Sequence, residues 1–390
     1  MDHSSLTCPQ LVALCKEGNI KGYSGKKKAE LLEMLGSTPP LNSVVGASSS
    51  SSSGVTVPLV DVPADAITFI EVCAGAGGLS SGLMKAGLTP VLLNEIDKDC
   101  CNTLRKNHPG VPVKCCSMLD LNLDAWIGKL SLLIGGVPCQ AYSQAGNRRG
   151  FDDPRGNLIL EFAKLVHKLR PRMFMIENVK GLLSHDKGQT LAEVISRLSA
   201  DDLYTIEYKV LNASFFNVAQ KRERVFIVGV LKSENKTFHY PEPEAEVKVL
   251  RDVLTDVPVS AGASYPESKI ELFSLIPQGG CWVNLPPDLQ KAYLGKSFES
   301  GGGKRGILHR GSLDKPSLTI LCSPSQKQTE RCHPTENRPY TTRESARIQS
   351  FPDDYEFTGS MSSQYKQIGN SVPVELARRM GMSIMDCLRG

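Results

Sequence analysis

ITFIEVCAGAGGLSSGLMKAGLTPVLLNEID, residues 67–97, is the stretch on which the fold reading turns. ITFIEVC is an apolar run with the character of a buried strand, and it stops at glycines. LSSGLMKAGL then carries apolar residues at helical spacing, and PVLLNEID returns to strand character. Strand, glycine turn, helix and strand make one βαβ unit, in which the two strands run parallel. The turn CAGAGGLSSG lets a ligand approach the backbone closely, and the helix behind it offers free N–H donors. Glu95 closes the second strand, 20 residues after Gly75. That is the layout of an adenosine-type cofactor site, with a carboxylate available for ribose hydroxyls. The competing reading of a lone glycine turn is tight packing. Neither GxGxxG nor GxxxxGK[ST] occurs, which disfavours a dinucleotide or a nucleoside triphosphate.

The alternation continues outward. CCNTLRKNH, LILEFAKLVHKL and GQTLAEVISRLSA read as helices, and LSLLIGG, MFMIENV, YTIEYKVLNA and RVFIVGVL as strands. The pattern predicts an α/β fold with an open, mostly parallel sheet over residues 66–239, where ligands bind beyond the carboxyl ends of the strands. After Phe238 the alternation stops. Residues 240–335 are rich in Pro, Gly and Ser, and between 291 and 338 nine Lys/Arg face four Asp/Glu. This is expected to be a smaller, loop-rich basic domain. Helical patterns return in RESARIQSF and VPVELARRMGMSIMDCL, so 336–390 is expected to rejoin the first domain.

Residues 1–36 form a unit of their own. Leu11, Val12, Leu14 and Cys15 make one apolar patch at helical spacing, and KKKAELLEML gives a second short helix. This small basic helix–link–helix resembles the SAP motif, a module associated with DNA binding; a plain helical hairpin is the alternative. Residues 37–65, with six consecutive serines and several prolines, have the composition of a tether.

The chain has 390 residues, with 41% hydrophobic, 22% charged and a formal net charge of +4. These are the values of an ordinary globular protein, and basic surface must be sought locally. No run approaches the roughly 18 apolar residues of a membrane span. The start lacks a basic region followed by an apolar one, so an intracellular protein is expected. The twelve cysteines include no CxxC spacing, which argues for reduced thiols rather than a disulfide framework or a zinc site. No metal is expected.

Three chemically loaded groups sit at strand ends. Pro138-Cys139-Gln140 follows LSLLIGG, Glu177 and Asn178 end MFMIENV, and QKRER brings Arg222 and Arg224 ahead of RVFIVGVL. A cysteine alone is more often a small buried hydrophobe. At a strand end near a helix N-terminus its thiolate can be a nucleophile. Glu177 could instead cap a helix, and the arginines could be surface ion pairs. Convergence of all these groups on one sheet edge favours a site.

With these residues in view, the sequence resembles the cytosine-C5 DNA methyltransferases. The blocks FIEVCAGAGGLSSG, NEID, GGVPCQAYS, DDPRGNL, ENV, QKRERVFIVG, RESARIQSFPDDY and YKQIGNSVPV stand in that family's order over 67 to about 388. The resemblance implies a Rossmann-like methyltransferase domain at 66–239 and 336–390, and a target-recognition domain at 240–335. It implies transfer of a methyl group from S-adenosylmethionine to C5 of a cytosine flipped out of duplex DNA. Cys139 is then the nucleophile at C6, Glu177 holds the base at N3 and its amine, Arg224 contacts the base near O2, and Arg222 supports the site. For the cofactor the resemblance points to Cys73, Gly75, Ala76 and Gly78, to Glu95 and Ile96, to Ser117 and Met118, and to Pro138, Leu158, Asn370 and Ser371. Ser117 stands where the family usually has an Asp that accepts from the adenine amino group, with Asp120 as the rival position. Glu71-Val72-Cys73 replaces the usual Asp-x-Phe. Ser143, Gln144, Arg148, Arg149 and Thr319 are the expected DNA contacts.

The expected partner is double-stranded DNA, without a membrane and without metal, and the expected state is a monomer. The family spans restriction–modification, viral and chromosomal enzymes, so the location is the nucleus in a eukaryote and otherwise the cytoplasm, or the host cell for a virus. Relatives of the same fold act on tRNA cytosine. They carry a different run after PCQ and a Cys-Phe-Thr element, where this chain has AYSQ and Gly-Gly-Cys281-Trp282. DNA is therefore the favoured substrate.

Overall fold

Seven strands form the central sheet of the computed structural model. It describes residues 54–138, 158–299, 306–324, 326 and 330–390, together with Thr7, Gln10, Leu11, Lys28, Glu30 and Leu31. Cys139, Ser143, Gln144, Arg148 and Arg149 lie outside the described residues, as does most of 1–53. The chain divides into two units, 1–53 and 54–390. In the first, the described positions Gln10, Leu11, Lys28, Glu30 and Leu31 are helical, and Leu11 and Leu31 are fully buried.

The strands are β1 (Thr68–Val72), β2 (Thr89–Glu95), β3 (Val113–Cys115), β4 (Leu132–Gly135), β5 (Met173–Val179), β6 (Tyr204–Asn212) and β7 (Glu223–Leu231). Their order across the sheet is β3-β2-β1-β4-β5-β7-β6. All neighbours from β3 to β5 pair parallel, and β7 is inserted antiparallel between β5 and β6. The expectation of a mostly parallel sheet is met, and the reversed β7 is a detail that local periodicity does not carry. The reversal sets the start of β7 beside the end of β5, with Phe226 opposite Glu177 and Arg224 opposite Val179.

Both faces of the sheet are covered, so its strands read as apolar runs rather than as apolar–polar alternation. Phe69, Leu132, Met173 and Phe226 point to one face, and Ile70, Leu133, Phe174 and Ile227 to the other. The first face packs on helices α1 (Gly78–Lys85), α2 (Lys98–Asn107) and α7 (Val374–Arg389). The second packs on α3 (Leu158–Leu169) and α4 (Gln189–Leu198). Each fully buried side chain of this kind is worth about 1.5–3 kcal/mol. Helix α2 starts two residues before its apolar pattern, because the Asp97 side chain accepts from the N–H groups of Asp99 and Cys100 at 3.0 and 3.3 Å. A Cβ on Gly82 would lie 2.3 Å from Cβ of Ala377, so α1 and α7 touch through a missing side chain.

After β7 come helices Glu267–Ser274 and Pro287–Leu294, with an apolar cluster of their own that includes Tyr265, Phe273, Trp282 and Leu308. Buried Arg310 donates to the carbonyls of Phe273, Ile276, His333 and Glu336, and so satisfies backbone that no strand pairs. The short strand Ser317–Leu318 runs parallel to Gln220–Lys221, just ahead of β7. Helices α5 (Thr342–Ile348) and α6 (Met361–Asn370) then lead into α7 across the sheet.

Candidate active site

The carboxyl ends of β1, β2, β4 and β5 open into one cavity of about 380 Å³, within the usual range for small-molecule sites of about 300–1,000 Å³. Its floor is the turn after β1. Gly75 has φ 55°, and a Cβ built there would meet nothing within 4 Å, so the bare backbone faces open space. Gly78 has the opposite surroundings: a Cβ there would fall 2.3 Å from the carbonyl oxygen of Val372. One glycine exposes backbone to a ligand, and the other lets the α6–α7 link close over the turn. The turn is further tied down from the α5–α6 connection, where the Tyr355 hydroxyl donates to the Ala76 carbonyl at 2.5 Å.

Glu95, at the end of β2, organises one wall. Its carboxylate accepts from the N–H of Gly75 at 2.8 Å, of Ile96 at 2.7 Å and of Asp97 at 2.9 Å. Ile96 is 69% exposed and borders the cavity, an apolar lip beside that carboxylate. Asn94 is buried beneath it and donates to the carbonyls of Lys114 and Cys116, which holds the chain entering Ser117 against β2. Ser117 and Met118 border the cavity, whereas Asp120 does not and is exposed. Of the two positions left open by the sequence, Ser117 is the one at the cavity. Its hydroxyl accepts from the N–H of Leu119 and keeps its own proton free to donate.

Cys73, Ala76, Pro138, Leu158, Asn370 and Ser371 border the same cavity, so every expected cofactor-side residue is brought together there. Burial pushes the Cys73 thiol up to about 12, with Glu95 and Glu71 adding to the shift. Cys73 is therefore a packed thiol rather than a thiolate.

The residues expected on the base side border the same space. Glu177 on β5 and Arg224 on β7 form a nearly buried ion pair at 2.9 Å. Burial raises the Glu177 carboxyl, and Arg224 and Arg222 oppose that rise. Arg222 is fully buried: it donates to the carbonyls of Ile320 at 3.3 Å and Asn370 at 3.4 Å, and its Nε has no partner. Burial and the charge of Arg224 disfavour its cation, and Glu177 opposes them only in part. Asn178 donates to the carbonyl of Val137 at 3.1 Å and fixes the backbone immediately before Pro138 and Cys139. Thr319 lies off the cavity, with its hydroxyl donating to the carbonyl of Lys221 at 2.8 Å.

Glu71 was missed as a site residue. It borders the cavity, is 1% exposed, and its Oε2 has no hydrogen-bond partner. Burial lifts its carboxyl to about 8; Ser80, on the first turn of α1, pulls the other way. The signal was available: an acid inside the apolar run FIEV has no structural reason to be there. Asp97 and Lys366, paired at 3.0 Å across the rim, were also missed. Among the described residues, neither Glu71 nor Glu95 forms an ion pair. The cavity therefore holds two carboxyl groups without cations, which suits a positively charged ligand. Among the described residues no cluster could hold a metal ion, and no helix is long and apolar enough to cross a membrane.

Comparison with known proteins bears on the same residues. The C-5 cytosine-specific DNA methylase family matches residues 67–386. The Type II methyltransferase M.Eco47II of Escherichia coli is 48% identical over 331 residues, covering 82% of this chain and 79% of that one. The Type II methyltransferase M.Sau96I of Staphylococcus aureus is 48% identical, covering 82% of this chain and 75% of its own length. Among solved structures, a DNA modification methyltransferase encoded within an Escherichia coli prophage superposes with a TM-score of 0.63 at 23% identity, over 83% of this chain and all of that one. The S. pombe Dnmt2 methyltransferase gives 0.60 at 17%, over 83% and 100%. At such identity the two structures speak to the fold alone. The family match spans both halves of the cavity, from the glycine turn after β1 to the α6–α7 link, and the chain belongs to the C-5 cytosine-specific DNA methylase family.

Proposed function

We propose that the protein is a DNA (cytosine-5)-methyltransferase that uses S-adenosylmethionine. The observation that carries this reading is one cavity in which the Gly75–Glu95 wall and the Glu177–Arg224 pair face each other, beside the backbone that leads into Cys139. The residues fit the cofactor: an open glycine turn, a carboxylate beside an apolar lip for a nucleoside, and a second buried carboxyl with an orphaned oxygen for a cation. When bound, S-adenosylmethionine supplies an electrophilic methyl group. Gly75, Glu95 and Ile96 would hold its nucleoside end and Glu71 the cationic end.

The chain's own residues would act on the base. The Cys139 thiolate adds to C6 of the cytosine, its electron pair forming the S–C6 bond and the C5–C6 π pair becoming available at C5. Glu177, raised by burial, supplies a proton or hydrogen bond at N3, and this stabilises the negative charge that addition places on the ring. Arg224 keeps Glu177 in place and turns a donor toward O2. Once C5 is methylated, loss of its proton returns an electron pair to the ring and expels the Cys139 thiolate. None of these atoms is accessible in a stacked duplex, so the base must flip out at a cost of a few kcal/mol. Ser143, Gln144, Arg148, Arg149 and Thr319 are assigned to the DNA around the flipped base, the arginines to phosphates.

Residues 240–335 are assigned to target recognition. The separate apolar cluster around Phe273 and Trp282 and the local excess of basic residues support this. Residues 1–36 are assigned to a SAP-like DNA tether on the linker 37–65. The curated relatives named above are bacterial Type II methyltransferases, which supports a cytoplasmic modification enzyme of a restriction–modification system; a monomer is the state we assign to it. The test is transfer of a labelled methyl group to unmethylated duplex DNA and to tRNA in parallel. Label on DNA supports the reading, and label on tRNA alone would replace it by the tRNA alternative.

A further inference from the structure

Two buried glutamines join parts of the chain that the mechanism treats separately. The N–H of Ile320 donates to Oε1 of Gln220 at 2.8 Å. Nε2 of Gln220 donates to Oε1 of Gln349 at 2.9 Å. Nε2 of Gln349 donates to the carbonyl of Ile368 at 2.8 Å and is 3.4 Å from that of Ser371. Both glutamines are 0% exposed, and neither borders the cavity.

The polarity of this relay is forced. Gln220 must turn its oxygen to the Ile320 N–H, which aims its amino group at Gln349. Gln349 must answer with its oxygen, which aims its amino group at two carbonyls. Flipping either amide would set like groups against each other in a buried place, at a cost of roughly 1–3 kcal/mol per unmade bond. The position of the 320 peptide and that of the 368–371 backbone therefore determine each other. Arg222 spans the same gap on the other side, from the carbonyl of Ile320 to that of Asn370. Packing alone would be served better by apolar side chains at 220 and 349.

The two ends differ in what they face. Ile320 follows Thr319 on the segment that pairs with Gln220–Lys221, and residues 368–371 bring Asn370 and Ser371 to the cavity wall. We propose that Gln220 and Gln349 are positioning residues that couple engagement of the target DNA strand at 317–322 to the position of residues 368–371, the end and cap of α6 at the cavity wall. This rests on the reading of the cavity as a cofactor site and of Thr319 as a DNA contact.

The test is calorimetric, on the full chain. The affinity for S-adenosylhomocysteine is measured alone and with a saturating duplex that carries a sequence the enzyme methylates. The wild type should bind it about fivefold or more tighter with the duplex present. Gln220→Glu keeps the acceptor for Ile320 and loses the donor to Gln349; Gln349→Met keeps the volume and loses every bond of the relay beyond Gln220. Both should reduce the coupling to within about twofold, while affinity without DNA stays near the wild-type value. A role in packing only would lower both affinities and the melting temperature together and leave their ratio intact, which would overturn the proposal. If either variant fails to fold, hydrogen exchange on the wild type decides: S-adenosylhomocysteine alone should slow exchange of the 317–322 peptide, and no slowing overturns the proposal. Wild-type protein that binds both ligands without coupling also overturns it. Wild-type protein that binds no duplex at all overturns the reading of the site as well.

Discussion

Nε of Arg224 lies 2.9 Å from Oε1 of Glu177, across the one antiparallel seam that joins a strand of the parallel run to β7. A parallel strand in that place would start at the far edge of the sheet and leave Glu177 alone among apolar neighbours. The reversal of β7 is thus what supplies the Glu177 carboxyl with its cation. Removing Arg224 should be costly for that reason. Arg224→Ala is expected to lower stability by about 3–5 kcal/mol, because it strands a buried charge. The double variant Glu177→Gln with Arg224→Ala should recover a good part of the loss. Denaturant unfolding of the three proteins checks this; equal losses in the single and double variants would contradict it.

Glu71 gives the apo protein a pH dependence of its own. Its folded carboxyl sits at about 8, against an ordinary value of 4.5. The folded state therefore keeps a proton that the unfolded chain has released. The resulting stabilisation is complete below about 4.5 and is lost as pH rises through about 8. The melting temperature of the cofactor-free protein should fall between pH 6 and 9, and Glu71→Gln should flatten that fall. An unchanged slope in the variant would remove Glu71 as its cause.

Ser117 borders the cavity, and we assign it to the adenine edge of the cofactor. Ser117→Asp preserves a cap for the N–H of Leu119. A charge-assisted bond gains about 1 kcal/mol over a neutral one, so S-adenosylhomocysteine should bind about fivefold tighter to the variant. Weaker binding, measured by calorimetry, would place the adenine edge elsewhere.

Residues 1–60 belong to the assigned tether and not to the chemistry. A protein lacking them should lose duplex affinity, most visibly at raised salt, and keep the rate of methyl transfer at saturating DNA. Unchanged affinity across a salt series would contradict the SAP-like assignment.

Much of this architecture was legible before any coordinates. MFMIENV and LILEFAKLVHKL coincide with β5 and α3, because each is a long segment of one period with turn residues at its ends. Gly75 and Glu95 were legible as strand-end positions, which a parallel sheet gathers on one side, whereas Ser117, Leu158, Asn370 and Ser371 came only from the family resemblance and all border the same cavity. Three things were not legible. The direction of β7 depends on which neighbour it pairs with, and no local pattern states that. The acid at Glu71 was visible inside its apolar run, but that its carboxyl is buried at the cavity with an oxygen left unpartnered was not, because a buried acid can equally find a partner from a distant segment. Gln220 and Gln349 are polar residues that look exposed in sequence, and only the meeting of four distant segments buries them.

The most direct measurement is nucleoside mass spectrometry of unmethylated duplex DNA after incubation with S-adenosylmethionine and either the wild-type protein or Cys139→Ala. The account predicts 5-methyl-2′-deoxycytidine with the wild type and none with the variant, whose DNA binding should be retained. Methylated cytosine formed by Cys139→Ala, or a methyl group on any other atom, would contradict it.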